Sequence, residues 1–187
     1  MRHLITGGAG FIGSHLAELL LARGDSVVAL DDLSTGSEAN IATFAATGRF
    51  EFVLGTILDG GLVDRLVAQV DDVYHLAAAV GVRRIMERAV DALVTNTAGT
   101  DHVLRSAARH HKPVLIASSS EVYATSNAVP FVEDAQVTLG PTQRPRWGYA
   151  CSKAFDEFLA LAYAREQGLT VVVVRLFNTV GPRQTGR

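Results

Sequence analysis

The chain has 187 residues, 48% of them hydrophobic, and a net charge of −2. That is long enough for one domain with a real core and too apolar for a disordered chain. No long basic run marks a nucleic-acid footprint, one cysteine excludes an internal disulfide, and no apolar run reaches the roughly 18 residues of a membrane span.

The first apolar run, 2–6, predicts a strand that begins almost at Met1, leaving no room for a signal peptide, so a cytoplasmic chain is expected. Gly7, Gly10 and Gly13 follow in a G-x-x-G-x-x-G turn, and an amphipathic helix is predicted over 11–23. A glycine has no Cβ, so such a turn lets a diphosphate approach the backbone. The helix start, at Phe11 and Ile12, offers that anion unpaired N–H groups and a partial positive charge. A second strand, 26–31, ends on Asp31, where an acidic side chain can take both ribose hydroxyls of an adenosine. No arginine occurs in the ten residues after Asp31, which favours NAD over NADP. Asp32 reads equally as a binding residue or a solvated turn residue.

Further strands are predicted over 50–54, 72–76, 113–118 and 170–177, and further helices over 59–69, 91–111 and 147–167, with a short one over 37–46. This alternation predicts an α/β fold, a doubly wound parallel sheet covered on both faces. Ligands of such sheets bind at the carboxyl ends of the strands. Those ends are Gly7–Gly13, Asp31-Asp32, Thr56-Ile57, Leu76–Val80, Ser118–Glu121 and Phe177-Asn178, a set that looks like a cofactor bed with a reaction site at one edge.

Tyr149 and Lys153 stand at i and i+4, on one helix face. A phenol with a pKa of about 10 is a poor base at neutral pH. An ammonium ~5 Å away, at an effective dielectric of ~20, favours the phenolate by roughly 3 kcal/mol, or about two pKa units. The phenol can then accept a proton from an alcohol.

These segments, with His75-Leu76-Ala77-Ala78, Asn96-x-x-Gly99-Thr100, Ser118-Ser119-Ser120-Glu121-Val122-Tyr123 and Arg175 to Arg183, resemble the extended short-chain dehydrogenase/reductases. Within that superfamily the match is to the NAD-dependent nucleotide-sugar epimerases and dehydratases, and it covers essentially the whole chain. The resemblance implies a Rossmann domain over 1–187, with the family's smaller substrate lobe not present in this chain. It also implies cofactor contacts from the glycine turn, Asp31, Asp32, Ser34, Thr35, Gly36, Thr56, Ile57, Leu76, Ala77, Ala78, Asn96, Ser118, Tyr149, Lys153 and Phe177. Val80, Ser120, Glu121, Tyr149, Asn178 and Arg183 are implied on the nucleotide-sugar side.

In the implied reaction Tyr149 takes the proton of the sugar 4-hydroxyl while NAD accepts hydrogen from C4; Ser119 or Ser120 bonds that oxygen, and Lys153 holds the nicotinamide ribose. Glu121 stands where 4-epimerases of the family carry a small or apolar residue, and it matches nucleotide-sugar dehydratases and UDP-glucuronate decarboxylases. Ser120 departs from the Asp-Glu pair of dTDP-glucose dehydratases and fits the decarboxylase and GDP-mannose dehydratase pattern better. Dehydratase or decarboxylase chemistry is therefore expected ahead of epimerisation, with Glu121 as a base toward C5; its alternative role is to cap the turn or pair with an arginine. A catalytically idle NAD-binding protein and a short-chain reductase with exchangeable cofactor stay open as other classes.

Cys151, between tyrosine and lysine but on another face, reads as a packed small hydrophobe, and His75 as a packing residue. His102, His110 and His111 have no carboxylate at ligand spacing, and no metal site is expected. Arg83-Arg84 and Arg144-Pro145-Arg146 read as solvated basic spots, with contact to a substrate diphosphate as the alternative. The helices over 91–111 and 147–167 carry apolar residues beyond one stripe, among them Phe155 and Phe158. With the resemblance, this implies a homodimer.

Overall fold

A computed structural model describes residues 1–79, 87–124, 126 and 129–184. Six strands form one sheet: β1 Arg2–Thr6, β2 Ser26–Asp31, β3 Phe50–Leu54, β4 Asp72–His75, β5 Val114–Ser119 and β6 Val171–Leu176. Their order is β3-β2-β1-β4-β5-β6, and every neighbouring pair is parallel. This is the doubly wound Rossmann arrangement, whose order reverses between β1 and β4 and opens a crevice there.

Among the described residues four α-helices connect the strands: α1 Phe11–Ala22, α2 Gly60–Ala68, α3 Ala89–Arg109 and α4 Arg146–Gln167. Successive strand side chains point to opposite faces, so Leu4 and Ile5 enter different cores. Leu4, Val28, Leu30, Val73, Val114 and Ile116 meet α2, α3 and α4 through Val63, Val67, Val103, Leu104 and Ala160. Ile5 and Val27 meet α1 on the opposite face through Ala17, Leu20 and Leu21. Cover is uneven there, for Val172 on the edge strand β6 is 52% exposed.

The helix expected over 37–46 shrinks to a single 3₁₀ turn, Glu38–Asn40, capped by the Ser37 hydroxyl. Ile41 and Phe44 are buried at the helical i, i+3 spacing. A run of tight turns supplies that spacing instead, with Phe44 N donating to Ile41 O and Thr47 N to Phe44 O. At its far end α4 stops at Gly168, whose φ of 69° is the left-handed conformation that ends a helix cheaply in glycine.

Candidate active site

β1 delivers the chain directly into the glycine turn. Gly7 has a φ of 73°, and its N–H donates to Leu30 O at 2.8 Å. A Cβ on Gly7 would lie 2.9 Å from Ala77 N, and one on Gly13 only 2.1 Å from Gly7 O. At Gly10, the N-cap of α1, the one close atom is Gly7 O at 3.1 Å. The turn is therefore packed tightly from beneath and open above, where the first N–H groups of α1 lack helical partners. That is a cradle for a diphosphate.

Asp31 ends β2 beside this turn. Its carboxylate accepts N–H bonds from Ala9 (3.0 Å) and Leu33 (2.8 Å), which fix its position. Burial pushes its pKa up, against the pull of those amides. Gly36 lies behind it, where a Cβ would meet the carboxylate at 2.8 Å. Asp32 accepts from Ser34 N at 2.9 Å, so it closes a turn while also facing the cleft. Arg49 donates to Leu21 O and Asp25 O, and Arg183 donates through one nitrogen to Glu18 at 2.7 Å while its Nη1 has no hydrogen-bond partner among the described residues.

From this turn a cleft of about 750 Å³ runs along the carboxyl ends of the strands, within the range of small-molecule and cofactor sites. It is lined by Gly7, Gly10, Phe11, Ile12, Gly13, Asp31, Asp32, Ser34, Thr35, Thr56, Ile57, Leu76, Ala77, Ala78, Ser118, Tyr149, Lys153 and Phe177. Ser119, Asn178 and Arg183 line it too. The glycine turn and the Tyr149/Lys153 pair thus share one cavity.

Several expected residues stand elsewhere. Ser120 and Glu121 do not line the cleft; they open the 3₁₀ turn Ser120–Tyr123 after β5, and Glu121 is exposed, its N–H capped by the Ser119 hydroxyl at 3.2 Å. Asn96 is buried behind the cleft wall, accepting from Ala79 N at 2.7 Å and donating to Ser152 Oγ at 3.1 Å. It ties the segment after β4 to α4, one turn from Tyr149. Val80, Arg83 and Arg84 lie outside the described residues.

The tyrosine–lysine pair departs from the electrostatics expected of it. Burial pushes the Tyr149 phenol up; the Ser119 hydroxyl pulls it down, and Glu121 and Asp156 push it further up. The Lys153 ammonium is engaged at its own end, donating to Ala117 O at 3.0 Å and to Asp156 at 3.3 Å. The phenol is thus pushed up, not lowered as the i, i+4 spacing alone suggests.

His75 is fully buried, with Nδ1 2.7 Å from the Thr6 hydroxyl and Nε2 3.0 Å from that of Thr100. Burial, then the Lys153 charge, pushes its pKa down to about 3, so it is a neutral strut. Cys151 is exposed, not packed, because it sits on the outer face of α4. Sequence reading missed Thr95 and Gln184 on the cleft wall. It also missed the buried set behind the wall, where Glu157 pairs with Arg175 at 2.8 Å and accepts from Ser118. The available signal was a pair of acidic residues, Asp156 and Glu157, within one helical turn of Lys153 on α4. Among the described residues no group of three or more His, Cys, Asp or Glu is arranged to hold a metal. None of the described helices is long and apolar enough to cross a membrane.

Residues 3–187 match the model of the NAD dependent epimerase/dehydratase family. The chain is 44% identical over 182 residues to a UDP-N-acetyl-alpha-D-glucosaminuronate decarboxylase of Bacillus cytotoxicus, covering 97% of this chain and 56% of the relative. It superposes on a dTDP-glucose 4,6-dehydratase from Streptomyces venezuelae, solved with NAD bound, with a TM-score of 0.89 at 38% identity, over 98% of this chain and 58% of that one. A UDP-glucose 4-epimerase from Brucella ovis, in complex with NAD, gives 0.82 at 29% identity, over 95% and 52%. The chain thus spans little more than half the length of these relatives.

Proposed function

The chain belongs to the NAD dependent epimerase/dehydratase family, and from that premise we propose that it is the dinucleotide-binding and catalytic part of an enzyme that modifies a nucleotide-activated sugar through transient oxidation at C4. The observation that carries this is the single cleft joining the glycine turn and Asp31 to Tyr149, Lys153 and Ser119.

NAD fits the turn: Gly7, Gly10 and Gly13 leave the α1 N-terminus open to a diphosphate, and Asp31 meets the adenosine ribose. When bound, it supplies a two-electron acceptor for the sugar carbon. Tyr149 accepts the proton of the sugar hydroxyl, and Ser119 donates a hydrogen bond to the same oxygen. Lys153, with two N–H groups engaged, has a third for the ribose or the phenol. The resulting 4-keto group acidifies C5, which opens the way to elimination or decarboxylation.

Decarboxylase or dehydratase chemistry is favoured by the identity to the Bacillus relative and by the Ser120-Glu121 pair. Epimerisation is the second reading, and the exposed position of Glu121 outside the cleft supports it. A homodimer fits the apolar side chains that α3 and α4 leave exposed, Leu93 and Val94 on one and Phe155, Phe158 and Leu161 on the other.

The test is to incubate the full-length protein with UDP-, GDP- and dTDP-sugars and to weigh the products. A loss of about 44 Da marks decarboxylation, about 18 Da dehydration, and unchanged mass with altered stereochemistry epimerisation (stoichiometry of the candidate reactions). No change in any sugar, with NAD bound, would overturn the proposal in favour of an idle NAD-binding protein.

A further inference from the structure

We propose that Asp156 is a positioning residue that governs how much of the Lys153 charge reaches the Tyr149 hydroxyl. The inference rests on Tyr149 being the base of the reaction proposed above.

Asp156 sits three residues beyond Lys153 on α4, and its side chain has no exposed surface. One carboxylate oxygen accepts from Lys153 Nζ at 3.3 Å, and the other faces the Thr100 hydroxyl without a well-formed hydrogen bond. A buried carboxylate left half satisfied is costly, and what it provides in return is neutralisation of the buried Lys153 ammonium. Its role therefore runs through Lys153. Its neighbour Glu157 differs, being fully engaged by Arg175 and Ser118.

What Asp156 changes is the field at the cleft. A bare ammonium one helical turn from the phenol favours phenolate; an ammonium in contact with a carboxylate acts as a dipole, whose reach is much shorter. Among the described residues, few charged or titratable groups surround the pair. On α3, the Thr100 hydroxyl faces Asp156 and bonds to the neutral His75 of β4. Ser119 of β5 and Glu121 of the following turn face Tyr149. Arg175 of β6 is occupied by Glu157. Lys153, Asp156 and Glu121 therefore set the charge balance at the phenol.

Burial pushes Asp156 up to about 6, against the attraction of Lys153. The carboxyl can thus take a proton near neutral pH, which would free the full Lys153 charge for the phenol.

The experiment is an ultraviolet difference titration of phenolate in the full-length protein. Subtracting the Tyr149→Phe curve removes Tyr74, Tyr123 and Tyr163. Asp156→Asn is expected to move the Tyr149 midpoint toward acid by roughly half a pH unit or more, and Lys153→Met to move it toward base. Asp156→Ser, smaller and uncharged, serves as a second variant and is expected to shift it in the same direction as Asp156→Asn. An unmoved midpoint in a folded variant, or failure of both Asp156 variants to fold, overturns the inference. The titration needs no substrate, so a protein inactive on every sugar would sink the proposed reaction and leave this result standing.

Discussion

Gly13 faces the Gly7 carbonyl so closely that a Cβ there would stand 2.1 Å from the oxygen. The first turn of α1 and the end of β1 are thus in backbone contact, and the contact aims the helix start at the cleft. Gly13→Ala must push the two apart. The expected cost is about 1–3 kcal/mol of stability and at least a roughly tenfold weaker NAD affinity. Calorimetric titration with NAD checks this; unchanged binding would show that the turn is not the diphosphate seat.

Tyr149→Phe removes the hydroxyl and keeps the ring. Turnover should fall on the order of 10²–10⁴-fold while NAD binding stays as it was. Normal turnover would remove Tyr149 from its assigned role.

Asn96→Ala strips the buried Ala79 N–H and Ser152 Oγ of their shared partner. An unsatisfied buried donor costs about 1–3 kcal/mol, readable as a lower urea midpoint. Turnover should drop as well, because Asn96 registers the segment after β4 against the helix that carries Tyr149. A variant as stable as the parent would show that bond to be dispensable.

His75 makes stability depend on pH. Its folded pKa, about 3, lies below the ordinary 6.5, so between those values the unfolded chain binds the extra proton. Stability is therefore full above pH 6.5 and declines as pH falls toward 3, by something on the order of 4–5 kcal/mol. His75→Gln, which cannot titrate, should flatten the slope of melting temperature against pH in that window. A slope equal to the parent's would assign the dependence to carboxylates.

Glu121→Gln separates the two reaction readings. If the side chain swings from its exposed site to serve as a base toward C5, the variant should still oxidise C4 but stall afterward, accumulating reduced cofactor detectable by absorbance. Unchanged product formation would favour epimerisation.

The strands were legible because a parallel strand covered by helices is an unbroken apolar run, as in the buried Val27-Val28-Ala29-Leu30; Val171-Val172-Val173-Val174 keeps such a run although it forms the half-covered edge strand β6. The glycine turn and Asp31 were legible because backbone geometry restricts which residues can stand there. The 37–46 segment misled because turns can bury Ile41 and Phe44 at helical spacing. Asn96 and Asp156 were opaque for a different reason. Whether an amide faces a ligand or a neighbouring loop, and whether an ammonium is bare or paired, depends on which helices meet in space.

The order of the sheet also bears on synthesis. β1 precedes the other five strands of the sheet in the chain yet lies mid-sheet, and its flank toward β4 stays bare until residues 72–75 have left the ribosome. Thr6, which heads the glycine turn, meets His75 only then, and Tyr149 emerges later still. A nascent chain can therefore display the nucleotide motif long before it can grip a nucleotide, and its exposed strand flank is where a chaperone would be most useful.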